Sequence, residues 1–134
     1  MSSSETVSIG SHTFRLHPPS VVVIRYVGTL EEDHAQRITD LCRETAKRPF
    51  AIVCDTKELA GVSPQARRRF AEGFKGVPLV AAAFVRASLR TRALGTFVVT
   101  AINMMRDTKI STGFFDDEPA AEAWALNVVR EIES

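Results

Sequence analysis

Asp55-Thr56 closes an apolar run, and Ser63-Pro64 follows after a short loop. In open α/β sheets, ligands and partners meet the fold at the carboxyl ends of strands. An acid and two hydroxyls placed there are candidates for partner binding, with Thr56 and Ser63 as possible phosphorylation sites. Ser63 before Pro64 also reads as a helix N-cap with proline at the first helical position, a role that explains the serine by itself. Arg67 and Arg68 come one turn later and join the same candidate surface. After a second apolar run stand Arg86, Arg90 and Arg92. Guanidinium groups beside helix amides can hold a phosphate or carboxylate, which makes these three candidates for an anion or a lipid headgroup. A solvated helix entrance is the plainer explanation of each alone.

The rest of the chemical inventory is thin. The three histidines, His12, His17 and His34, show no ligand spacing and are expected on the surface. Cys42 and Cys54 are the only cysteines, with no second pair to complete a zinc site. Cys54 lies in an apolar run and reads as a small buried hydrophobe. Neither a nucleophile elbow nor a phosphate-binding glycine motif occurs. Gly73-Phe74-Lys75-Gly76 falls at a helix end, and Asp116-Asp117-Glu118 reads as a capping cluster before a helix. No catalytic residue, metal or cofactor is expected, and the chain is expected not to be an enzyme.

The elements that must position these residues are legible as periodicities. Val7, Ile9 and Phe14, Leu16 alternate out of phase across Gly10-Ser11, which predicts two short strands joined by a turn or bulge. Residues 20–28 and 50–55 are rich in β-branched and apolar residues on both faces, as buried strands are. Between them, Ala35, Ile38, Leu41, Cys42 and Thr45 recur at helical steps within 30–48, with acids first, Lys47 and Arg48 last and Pro49 as the stop. Ala66, Phe70 and Phe74 mark the inner face of the next helix. Residues 79–85 predict another buried strand, 88–105 a helix capped by Ser88, and 109–115 a last strand. Asp116 or Asp117 caps a final helix with Ala121, Trp124, Ala125, Val128 and Ile132 as its apolar stripe. A β-rich start followed by alternating helices and strands implies an α/β domain with a mixed, mostly parallel sheet and helices packed on it.

The chain has 134 residues, 45% hydrophobic and 25% charged, which suits one globular domain over 7–134 with 1–6 disordered. Seventeen Lys+Arg against sixteen Asp+Glu leave a net charge of +1, so nothing in the bulk charge recommends nucleic acid or an anionic membrane. The start of the sequence lacks a basic-then-apolar leader, and its longest apolar stretch, 93–105, is too short to span a bilayer. A cytoplasmic setting without stable membrane insertion is the expectation. That stretch is nonetheless apolar nearly all round. Leu94, Val98 and Ala101 fall on one face, leaving Phe97, Val99, Ile102, Met104 and Met105 for the remainder. A homodimer is therefore expected, with Phe97, Ile102 and Met105 as contacts, unless the C-terminal helix covers this face.

The strand ending at Asp55, the Gly61-Val62-Ser63-Pro64 helix start, the segment FVRASLRTRAL and the closing Phe114-Phe115-Asp116 with Glu122-Ala123-Trp124 resemble the SpoIIAA-like family of STAS domains. That family is also grouped with the CRAL-TRIO lipid-binding domains. The resemblance spans nearly the whole chain and implies a STAS-like fold in a non-enzymatic regulatory protein. Its anti-sigma-factor antagonists bind a kinase-like anti-sigma factor and are switched by phosphorylation of a serine at a helix start. That serine sits in an Asp-Ser-Ser-Gly or Asp-Ser-x-Gly stretch. Here Ser63 falls near the motif's aspartate and Pro64 near its serine, so the motif is degenerate. The resemblance thus implies a protein-binding module, with a binder of a small apolar or lipid-like ligand as the alternative.

Overall fold

The alternating pairs around Gly10-Ser11 form an antiparallel hairpin of β1 (Thr6–Ile9) and β2 (His12–His17). Gly10 has φ of +60°, and an added Cβ would lie 2.6 Å from His34 Nε2, so both the turn and its neighbour require glycine here. The computed structural model describes residues 6–17, 19–107 and 109–133. The expected disorder over 1–6 lies outside them except at Thr6, which opens β1.

Six strands stand in the sheet in chain order. β2 pairs antiparallel with β3 (Val21–Leu30), and β3, β4 (Phe50–Val62), β5 (Leu79–Val85) and β6 (Ser111–Phe115) are parallel. β5 lies inside the sheet, as its two-faced burial demands. Each crossover steps one strand in the same direction, so crossovers of one hand put their helices on one face. Accordingly α1 (Glu32–Thr45), α2 (Pro64–Gly73) and α3 (Leu89–Met104) share one core with Val22, Ile24, Ile52 and Phe84. α4 (Glu118–Glu133) covers the opposite face, where Ala121, Ala125 and Val129 meet Val21, Val23, Val53 and Ala83. The period-two split of Val21 to Ile24 between two cores is the pleat at work.

All four helix starts are set by local chemistry. Glu31 and His34 form a reciprocal capping box at α1. Ser63 Oγ accepts the Ala66 N–H at 3.0 Å, and Ser88 Oγ accepts that of Thr91 at 3.2 Å. Asp117 Oδ1 accepts the Ala120 N–H at 2.8 Å near the start of α4.

Four expectations are corrected. The strand beginning at Phe50 does not end at Asp55: it loses β5 after the Asp55–Val85 pair but runs on to Val62 against β3. The inner face of α3 is Gly95, Val99 and Ile102, and Leu94, Val98 and Ala101 flank it half-buried. Ile102 is 3% exposed and belongs to the core, so it is no dimer contact. Nor does α4 cover the outer side of α3, because the sheet lies between them.

Candidate functional site

The carboxyl ends of β3 to β6 and the starts of α1, α2 and α3 gather at one end of the sheet. Asp55 and Arg86, read apart in sequence, meet there: an Arg86 N–H donates to Asp55 Oδ2 at 2.5 Å, and Asp55 Oδ1 accepts the Lys57 N–H at 3.2 Å. Arg86 holds a φ of +56°, a left-handed conformation that residues with a Cβ seldom adopt. Its backbone N–H donates to the Phe115 carbonyl at 2.9 Å, which ties β5 to β6 at that point. Thr56 is buried and donates its hydroxyl to the Val85 carbonyl at 3.0 Å. It locks β4 to β5 and offers no surface hydroxyl, so it drops out as a phosphorylation site.

The three arginines after β5 do not converge on one anion. Arg86 is engaged by Asp55, and Arg92 turns to the Phe114 ring at 5.2 Å with its Nε donating to the Ala87 carbonyl. Arg90 alone of the three lines a groove. That groove, about 440 Å³, runs between the β4 extension, α2 and α3, with Arg67, Arg90, Leu59, Val62, Leu94 and Phe97 among its walls. Arg67 is half-buried across the face of Phe97, 5.6 Å from the ring centre. Its Nε is buried with no hydrogen-bond partner. Arg68, the next residue, is exposed. Arg69, which carried no expectation, is tied to Glu32 at 3.5 Å and Glu72 at 3.6 Å. The first turns of α2 and α3 hold no acidic residue, so this corner presents positive charge and positive helix ends together.

The groove continues inward. Leu59, Val62, Thr91 and Leu94 line both it and an apolar cavity of about 80 Å³ between the sheet and α3. Cys54, Tyr26, Phe84 and Gly95 are among the cavity's walls. Burial pushes the Cys54 thiol up to about 12, despite the opposing hydrogen bond with Tyr26. Such a thiol is not a nucleophile at neutral pH. Gly95 lets α3 approach: an added Cβ would stand 2.9 Å from Phe84 Cζ.

The histidines overturn their expectation in part. His17 is half-buried at the surface, its side chain 45% exposed and 3.7 Å from Glu122 Oε1. His12 is 1% exposed and packs edge to face on His34, ring centres 4.7 Å apart. His12 Nδ1 accepts the Val27 N–H at 3.0 Å, and His34 Nδ1 accepts the Glu31 N–H at 3.1 Å. Nothing in sequence spacing signals this pair, because the hairpin and α1 bring together residues from separate elements. Among the described residues, no three His, Cys, Asp or Glu side chains are grouped to hold a metal. Nor is any described helix long and apolar enough to cross a membrane.

No protein-family model matches the sequence, and no curated protein does. Solved structures do. An uncharacterized protein of the DUF3478 family from Shewanella loihica, with a SpoIIAA-like fold, matches 93% of this chain and 98% of its own. Its identity is 22% and its TM-score 0.60. The anti-sigma factor antagonist SpoIIAA in its unphosphorylated form matches 90% of this chain and 98% of its own, at 15% identity and a TM-score of 0.52. A sulfate transporter family protein from Wolinella succinogenes matches 84% of this chain and 90% of its own, at 18% identity and a TM-score of 0.58. With the strand order and the helix faces described above, these matches establish that the chain has the SpoIIAA-like fold of STAS domains.

Proposed function

We propose that this chain is a non-enzymatic regulatory module that binds a protein partner through the groove at the carboxyl end of its sheet. The partner presents an acidic or phosphorylated segment. One observation carries this reading: Arg67 and Arg90 line an apolar-walled groove beside two serine-capped helix starts that bear no acid of their own. No ion pair to a carboxylate occupies either guanidinium among the described residues, so both can serve a carboxylate or phosphate. Phe97 adds the apolar anchor that such contacts need to exclude water. Ser63 already caps α2, and a phosphate there would meet the same positive end of the helix. The likeness to SpoIIAA supports a role of this type, and a kinase-like partner is the form it would take.

The test is affinity capture from native lysate with wild type, a double Arg67→Glu/Arg90→Glu variant, and an Arg130→Glu control on α4. The expected result is one partner held by wild type and the control and lost by the double variant. Equal capture by all three overturns the site.

A second reading rests on the continuity of groove and cavity. Two arginines at the mouth and an apolar interior suit an anionic amphiphile, with its tail under α3. The cavity's 80 Å³ is small for this, since an apolar cavity of about 150 Å³ holds only benzene. α3 would have to lift from the sheet. Native mass spectrometry and melting shifts across a panel of fatty acids decide: a bound mass with a saturable shift supports it, and an apo mass with no shift removes it.

A further inference from the structure

The β4 extension that walls the groove has a single strand neighbour. Beyond Asp55 it no longer pairs with β5, and Glu58, Leu59, Gly61 and Val62 pair only with Val27, Gly28, Thr29 and Leu30 of β3. That stretch of β3 is itself irregular, with register shifts between Arg25 and Val27 and between Gly28 and Thr29. A segment with one partner and a broken ladder needs another anchor. His12 supplies it, because its Nδ1 accepts the Val27 N–H at the first irregularity.

We propose that His12 is a proton-operated latch on the β3–β4 extension: neutral, it holds Val27 and so the groove wall in place, and protonated, it releases them. An imidazole whose Nδ1 accepts carries its hydrogen on Nε2, so a second proton must go to Nδ1. The acceptor then becomes a donor facing the Val27 N–H, and the bond is lost. Two rings face His12. From α1 comes the His34 ring at 4.7 Å, and from β3 the Tyr26 ring at 5.7 Å, its phenol held neutral by burial. Nε2 is buried without a hydrogen-bond partner, and no carboxylate pairs with the ring among the described residues. Burial first and His34 second accordingly hold the His12 pKa below its ordinary 6.5, with the Thr29 backbone acting weakly the other way. A base whose pKa is depressed in the folded state binds its proton more readily once released. The latch is therefore fully closed above pH 6.5 and weakens as the pH falls below it. The device does not depend on what occupies the groove.

Two readouts on the unliganded protein test it: imidazole proton shifts for the titration of His12, and amide exchange of residues 57–62, corrected for intrinsic rates, between pH 7.5 and 4.5. The expected result is at least a tenfold loss of protection at 57–62 as His12 titrates, with β5 amides unchanged. His34→Asn keeps an acceptor for the Glu31 N–H and removes the facing imidazole. It should raise the His12 midpoint towards 6.5 and shift the release with it. His12→Asn should leave protection at 57–62 independent of pH; if it fails to fold, the wild type and His34→Asn decide alone. Four outcomes overturn the latch: His12 still neutral at pH 4.5, protection at 57–62 unmoved by its titration, β5 protection falling in step, or a shifted midpoint without a shifted release.

Discussion

Ser63 has a definite structural duty. Its hydroxyl accepts the Ala66 N–H, so Ser63→Ala should cost about 1 kcal/mol in urea denaturation, while Ser63→Asp, an equally good cap with charge at the positive helix end, should cost nothing. A neutral Ser63→Ala would mean the cap is idle. The contrast matters because an aspartate there serves as both cap and phosphate mimic, and a binding change in Ser63→Asp then cannot be blamed on instability. At Arg86 the backbone and the side chain pull apart. Its φ of +56° favours glycine, whereas its guanidinium is paired to the buried Asp55. Arg86→Ala and Arg86→Gly both lose the pair, but only glycine relieves the backbone, so Arg86→Gly should be the more stable by about 1 kcal/mol. Equal stabilities in denaturant would show that the left-handed turn stores no strain. In sequence Asp55 and Arg86 were each visible and their pairing was not, because a contact across parallel strands has no local signature.

At the scale of elements, α3 separates what periodicity reveals from what it hides. Its existence, its Ser88 cap and its surplus of apolar residues are plain in the sequence. Which side faces the sheet is not, since a helix apolar nearly all round has no strong stripe to read, and the small inner residue, Gly95, weighs nothing on a hydrophobic scale. Ile102→Ala should therefore destabilise by about 2–5 kcal/mol, and Met104→Lys, at a position 82% exposed, should leave the melting temperature within a degree or two. A mild Ile102→Ala with a severe Met104→Lys would mean that the helix is turned the other way. The long β4 is a second case. Its polar, glycine-bearing tail over 56–62 reads as loop, and only pairing with β3 makes it strand and groove wall. The fold was legible because each buried strand and capped helix speaks for itself; the groove was not, because it is built from an overhang, a helix start and a ring from three separate elements.

For the whole molecule, the order of the sheet decides which surfaces remain open. Placing α1, α2 and α3 on one face leaves α4 alone on the other, so no helix within the described chain covers the outer side of α3, and only Arg67 reaches it, across Phe97. Leu89, Phe97 and Met104 stand there 86%, 57% and 82% exposed, at steps of eight and seven residues that keep them on one stripe. A net charge of +1 offers little long-range repulsion to association. We therefore expect self-association through this stripe about a two-fold axis, the commonest way to cover such a patch, with Met105 at its margin in place of Ile102. Light scattering across a concentration series should give a dimer for wild type and a monomer of unchanged melting temperature for the double variant Leu89→Lys/Met104→Lys. Both substitutions lie outside the groove, while Phe97 belongs to groove and stripe alike. Partner capture by wild type and by the monomeric variant would therefore further show whether a second copy and the partner compete for that ring. A wild type that stays monomeric at millimolar concentration defeats the dimer and leaves the stripe exposed on the free protein.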